Sequence, residues 1–273
     1  MSKPFENKRI IITGASSGIG KEMAVQLSRQ AARLTLAARS TDRLAEIAHL
    51  CQENGAQAIH VPTDVSDASQ CQNLIQTSVN HYGGIDLLVN NAGYSMWAKF
   101  EDITQMEIGE KLFQVKFFGS VYCTHAALPF LKASKGQILT IASLTGKIGV
   151  PSRTYYSAAN HALAGFFDAL RGELIDDGVK VSMVYPGYIA TSIREKAINS
   201  AGKPHGKTHI VESNAMPVDI CVRQILEATA MKKRDILLTF KDRVGTWLKL
   251  ISPSLLDYIA RKETAYDQLS NAK

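Results

Sequence analysis

Short runs of branched apolar residues alternate along this chain with longer stretches whose apolar positions recur every three or four residues. Arg9-Ile10-Ile11-Ile12-Thr13 reads as a strand buried on both faces, and an amphipathic helix follows to about Arg29. The alternation then repeats. Strands are predicted at 33–38, 58–61, 86–90, 136–142 and 179–184, with a short one near 235–238. Helices are predicted at 41–54, 67–82, about 104–133, 153–177 and 217–231, with Gly83-Gly84 ending the second of these. Residues 192–216 lack a clear period and read as a mobile insert. Strand–helix repetition of this kind predicts an α/β fold, a doubly wound parallel sheet with right-handed crossovers. No linker or internal repeat divides the 273 residues, so a single domain over 1–273 is expected, with a C-terminal extension at 240–273.

Composition narrows this picture only a little. The formal charge of +6 is modest and dispersed, which argues against nucleic acid as a partner. Residues 231–273 hold nine Lys/Arg against five Asp/Glu, so the excess gathers toward that end, as a solvated tail or as a surface for an anionic partner. Cys51, Cys71, Cys123 and Cys221 form no CxxC pair and read as buried free thiols in a reducing compartment. The N-terminal residues carry no apolar h-region and no stretch reaches the length of a bilayer span, so a cytoplasmic location is expected. The seven histidines show no metal spacing, and neither a G-x-S-x-G elbow nor a Walker loop is present.

Candidate chemistry begins at Thr13-Gly14-Ala15-Ser16-Ser17-Gly18-Ile19-Gly20, between the first strand and the first helix. Glycines there allow a tight turn and close approach of backbone to a pyrophosphate, which then rests on the helix N-terminus. The spacing is G-x-x-x-G-x-G, not the commoner G-x-G-x-x-G. Asn90-Asn91-Ala92-Gly93 follows the fourth strand, Ser143 closes the fifth, Tyr156 lies thirteen residues later, and Pro186-Gly187 follows the sixth.

In these motifs and their order, the chain resembles the short-chain dehydrogenase/reductase family over roughly residues 8–240. The resemblance implies a Rossmann-type fold that binds NAD(H) or NADP(H) and interconverts carbonyls and alcohols. Gly146–Pro151 and His161–Phe167 resemble the branch that handles steroids, lipids and similar apolar carbonyls. On the same grounds Ser16, Ser17, Gly18, Ile19 and Gly20 would cradle phosphate, Asp64 and Val65 border the adenine, Asn91, Ala92 and Gly93 border the ribose, and Ile189 and Thr191 meet the nicotinamide amide. Residues 192–216 become a substrate-side loop. Members are often dimers or tetramers, so a homo-dimer or homo-tetramer is expected.

The cofactor can be chosen locally. An acid at the end of the second strand holds the ribose 2′-hydroxyl of NAD. Here that place reads Ala38-Arg39-Ser40, where Arg39 can grip a 2′-phosphate and Arg43 can assist, so NADP is expected.

Tyr156 is a useful acid only if a cation stabilises its phenolate, because an unperturbed tyrosine has a pKa of about 10. The family pattern Y-x-x-x-K supplies a lysine four residues on, but Asn160 stands there. The family also places an asparagine in the preceding long helix within a segment like N-x-F-G, and the matching segment here is Lys116-Phe117-Phe118-Gly119. Lysine and asparagine have traded places in the sequence. Three readings stay open: Lys116 replaces the missing ammonium, with Asn160 taking the relay; Lys116 points elsewhere and the fold is a nucleotide-binding pseudoenzyme, a regulator or scaffold; or Lys116 is an ordinary surface lysine. Its apolar neighbours Phe113, Val115, Phe117 and Phe118 argue against the last.

Tyr94, Met96, Trp97, Ile148, Val150, Tyr188 and Ile193 would line a pocket for an apolar carbonyl or alcohol. Residues 240–262 interleave ten large apolar side chains with Lys241, Arg243, Lys249, Arg261 and Lys262. They would pack on their own domain, cover the cleft, join a sister subunit or lie on a membrane surface. Packing on the domain or on a sister subunit is the expectation.

Overall fold

A computed structural model describes residues 3–191, 193, 197–204, 206 and 215–269, without the side chains of 263–269. Seven parallel strands form one sheet in the order β3-β2-β1-β4-β5-β6-β7. They are β1 (Arg9–Thr13), β2 (Arg33–Ala38), β3 (Gln57–Pro62), β4 (Leu87–Asn90), β5 (Gln137–Ile141), β6 (Lys180–Val184) and β7 (Asp235–Ile236). The order reverses between β1 and β4, and the crevice outside the carboxyl ends of strands at such a switch is where open α/β sheets bind ligands. Burial on both faces explains the apolar runs: Ile10, Ile11 and Ile12 are all enclosed.

Helices α1 (Gly18–Ser28) and α2 (Thr41–Glu53) cover one face with α7 (Val218–Ala230). The other face is covered by α3 (Ala68–Tyr82), α5 (Gly119–Ser134) and α6 (Thr154–Glu173). Between α4 (Glu107–Phe113) and α5 the chain makes a single π-helical turn, Gln114–Phe118, in place of the uninterrupted helix expected over 104–133. Two helices, α8 (Phe240–Ile251) and α9 (Pro253–Leu269), follow β7.

The predicted boundaries hold to within a few residues, with two clear shifts. Helix α6 ends at Glu173 rather than 177, because the chain turns through Leu174–Gly178 and Gly178 takes φ +74°. The last strand keeps only Asp235 and Ile236. Part of the 192–216 insert lies outside the described residues. Its described part is tied down at Ile198, which bridges to Met96 and Pro204, and at Met216, which bridges to Ile189. A third apolar cluster, around Met96, Ile108, Leu112, Tyr156 and Ala159, sits at the carboxyl end of the sheet.

Candidate active site

The glycine loop leaves β1 and enters α1 with Gly14 at φ +66° and Gly18 at φ +56°, conformations that side chains other than glycine rarely adopt. A Cβ on Gly20 would overlap the Gly14 carbonyl oxygen and stand 2.5 Å from Asn91 Nδ2. Ser17 caps α1 without a side-chain hydrogen bond, and no acid occupies the first turn, so the helix end offers its amides to an anion. Thr191 faces this turn, 3.7 Å from where a Cβ on Gly18 would stand. The loop is thus a cradle held open by missing side chains, and it fits a pyrophosphate.

Two residues of the cofactor motifs, Thr13 and Asn91, brace this loop. Thr13 is buried; its hydroxyl donates to Val89 O and accepts from the amides of Asn91 and Ala92. Asn91 Nδ2 donates to Thr13 O and Gly14 O. These bonds join the ends of β1 and β4. Asp64 Oδ1 accepts from Ser66 N and Ser66 Oγ, leaving Oδ2 as its open oxygen. Val65 turns its side chain against Gly119 rather than outward, and its carbonyl accepts from Cys71 Sγ. Pro186 O accepts from Leu144 N, and Ile189 is buried. Arg39 is exposed at the end of β2, and among the described residues no ion pair engages it. Ser40, next to it at the N-terminus of α2, makes no side-chain capping bond.

Beyond the crevice, the ends of β4 and β5, the π turn and α6 converge. Lys116 is 5% exposed, so it is no surface lysine. Its Nζ donates to Ile141 O at 3.4 Å and lies 3.4 Å from where a Cβ on Gly93 would stand. The same nitrogen sits 5.5 Å from the centroid of the Tyr156 ring. A π turn adds a residue to a helical turn, which re-aims the side chains that follow it. Burial pushes the Lys116 amine below its ordinary pKa, and the negative charge of an ionised Tyr156 works the other way.

Asn160 is completely enclosed. Its Nδ2 donates to Tyr156 O at 2.8 Å and to Thr145 Oγ1 at 3.3 Å. Among the described residues its Oδ1 has no partner, and no hydrogen bond joins it to Lys116. Ser143 accepts from Thr145 N at 3.3 Å. Thr145 therefore touches both Ser143 and Asn160, a link that sequence reasoning missed because nothing in its spacing marks it. Met96, expected to line the pocket, is wholly enclosed beneath it, whereas Trp97 is half-buried with the Arg153 guanidinium 4.5 Å above its ring. Tyr188 and Ile193 are exposed and Ile148 is buried.

A doubly wound sheet with a glycine cradle at its switch point defines a nucleotide-binding α/β protein. Residues 8–201 match the short chain dehydrogenase family, and the chain belongs to it. It is 33% identical over 268 residues to the dehydrogenase/reductase SDR family protein 7-like of Anopheles gambiae, covering 96% of this chain and 84% of that protein. It is also 33% identical over 259 residues to the 11-beta-hydroxysteroid dehydrogenase-like 2 of Arabidopsis thaliana, covering 93% of this chain and 82% of that one. A short chain dehydrogenase/reductase from Burkholderia phymatum, solved in complex with NAD, shares the fold with a TM-score of 0.83 at 24% identity, over 93% of this chain and 96% of its own. Membership makes the chain an oxidoreductase that acts with a nicotinamide cofactor on a small molecule.

Proposed function

We propose that this chain is an NADP(H)-dependent oxidoreductase that interconverts a lipophilic ketone and a secondary alcohol. Tyr156 is its acid/base, Ser143 holds the substrate oxygen, and Lys116 takes the place of the family lysine. The observation that carries this reading is the Lys116 Nζ, enclosed and 5.5 Å from the Tyr156 ring although it comes from a different helical segment. A nearby cation favours the ionised form of a phenol.

A nicotinamide cofactor, when bound, would supply or take the hydride at the substrate carbon. The glycine cradle and the amides of α1 would hold its pyrophosphate, and Arg39 with Ser40 at the end of β2 would suit a 2′-phosphate. In reduction Tyr156 passes its phenolic proton to the carbonyl oxygen, which Ser143 orients, and the nearby Lys116 ammonium steadies the phenolate left behind. In oxidation the same phenolate removes the alcohol proton. Asn160, tied to Thr145 and to the Tyr156 carbonyl, holds the helix turn that bears the phenol. Its free Oδ1 suits a bridging water, so its relay role runs through solvent and not through direct contact with Lys116.

The apolar cluster around Met96, Ile108 and Leu112 packs against Tyr156, and these oily surroundings of the phenol favour a lipophilic substrate. The second reading is the nucleotide-binding regulator without turnover. It is favoured by the burial of Lys116, which works against the very charge the mechanism uses.

One experiment separates the two. NADPH oxidation with a panel of apolar ketones is expected for the wild type, and Tyr156→Phe should abolish it while NADPH still binds. Lys116→Asn should lose about ten- to a thousandfold, the span expected from removing the cation beside the phenol. Lys116→Asn combined with Asn160→Lys restores the family arrangement and should recover turnover. A Lys116→Asn enzyme as active as the wild type would refute the substitution. A wild type that binds NADPH and never oxidises it would make the chain a regulator.

A further inference from the structure

Helix α8 is amphipathic the wrong way round for a helix packed on its own domain. The side it turns to the protein is polar. Asp242 is buried and closes a capping box with Thr239, and Asp242 Oδ1 lies 2.9 Å from where a Cβ on Gly187 would stand. One turn on, Thr246 Oγ1 donates to Asp242 O. Lys249 Nζ donates to Lys147 O at 2.7 Å and meets His161 Nε2 at 3.3 Å. The opposite side is apolar and open: Phe240, Val244, Trp247 and Ile251 recur at i, i+4, i+7 and i+11, with Phe240 80% and Ile251 78% exposed. Helix α9 continues the pattern. Leu256 and Ala260 face inward, and Leu255, Tyr258 and Ile259 face out.

Such a continuous apolar surface is uncommon on a solitary soluble chain and marks a contact. The charges around it choose the partner. Residues 240–262 carry five Lys/Arg and two Asp, and one of those two, Asp242, is buried as the cap. Arg243, Arg261 and Lys262 are exposed at the borders of the apolar strip. A second copy meeting this surface about a two-fold axis would set like charges against each other. An anionic lipid surface would meet them with opposite charge. It would also suit Trp247 and Tyr258, aromatic groups that settle at headgroup level. Among the described residues no helix is long and apolar enough to cross a membrane, so contact would lie in the plane of the interface.

We propose that α8 and the first turns of α9 form a docking face for an anionic lipid surface. The helix is seated on the turn at Gly187, on Lys147 and on His161 of α6, the segments that also frame the cleft, so docking and the cleft share one side of the molecule. This inference stands whether or not Lys116 performs the role given above.

Co-sedimentation of the full chain with vesicles of phosphatidylcholine alone, and of phosphatidylcholine with phosphatidylserine, tests it. Binding is expected to the anionic vesicles and to weaken as salt rises. Trp247→Ser with Ile251→Ser, both exposed, should reduce partition about tenfold or more. Arg243→Glu with Lys262→Glu should remove the preference for phosphatidylserine. The sequence has two tryptophans, so Trp97→Phe leaves Trp247 as the sole tryptophan, and its selectively excited emission should shift to the blue on binding. A wild type that stays in the supernatant at low salt overturns the proposal, as does equal binding by the Trp247/Ile251 variant. A concentration-dependent dimer that this variant loses, without vesicle binding by the wild type, would assign the face to a second copy.

Discussion

Lys116 is a stability liability kept at the centre of the site. Taking an ammonium out of water costs several kcal/mol unless partners compensate, and its only hydrogen bond among the described residues is to Ile141 O. Its depressed pKa means that the unfolded chain holds this proton more tightly than the folded one. The group therefore costs stability below its unfolded pKa, and the cost shrinks as pH rises. Lys116→Met is accordingly expected to raise stability by about 1–3 kcal/mol at neutral pH while losing turnover, read as a higher urea midpoint beside a dead NADPH assay. A less stable Met variant would mean that the ammonium is well compensated in the fold. Asn160 tells a complementary story. Its position in Y-x-x-x-N is plain in the sequence, yet its bonds to Thr145 and to the Tyr156 carbonyl are not, because they depend on how the loop after β5 folds over α6.

At the scale of elements, the ends of strands do most of the positioning. Thr13 and Asn91 show how: both sit in motifs that read as cofactor contacts, and both turn out to lash β1 to β4 so that the glycine turn keeps its shape. Motif reading finds such residues but cannot separate a brace from a ligand, since both need the same polar side chain in the same place. The end of β2 gives the sharper test of function. Arg39 and Ser40 stand at the N-terminus of α2 with no acid before them. Arg39→Asp is expected to weaken NADPH binding about ten- to a hundredfold and to improve NADH binding, measured by titration of each cofactor. An unchanged ratio of the two affinities would remove Arg39 from cofactor choice. The π turn at Gln114–Phe118 was not legible at all: the residues are ordinary helix formers, and the extra residue in the turn becomes visible only in the backbone.

The whole molecule is held across its switch point by a polar clamp as well as by its two apolar layers. Arg9 Nε and Arg9 N both reach Asp86 Oδ2, at 2.8 and 2.9 Å, and Asp86 N donates to Arg9 O. Burial works against the Asp86 carboxylate, but the hydrogen bonds and charge of Arg9 outweigh it and hold the pKa below the usual carboxylate range. A depressed folded pKa contributes stability that is present above the unfolded value, about 4, and is lost as pH falls through the folded one. Asp86→Asn should cost about 1 kcal/mol at pH 7, the clamp being partly open to solvent, and the difference from wild type should shrink toward pH 3. Urea titrations at the two pH values check this. An equal difference at both would mean that the carboxylate charge is not what stabilises the clamp.

The C-terminal helices mark the limit of pattern reading at this scale. Their period is plain in residues 240–262, but an amphipathic pattern gives a stripe and not its direction, and packing on the domain or on a sister subunit was the expectation. The stripe faces outward because Asp242 packs against Gly187 on the inner side while Lys249 bonds there to Lys147 and meets His161.

The sequence alone determined the order of strands and helices, the buried strands, the glycine cradle and the candidate Ser143, Tyr156 and Lys116. Those are local properties of residue type and period, which neighbours along the chain suffice to express. Only the tertiary structure decided that Lys116 is buried beside the Tyr156 ring, that Thr13 and Asn91 brace the loop, and which way α8 faces. Each of these depends on side chains brought together from distant segments, and the sheet that sets their separation exists only when the chain is folded.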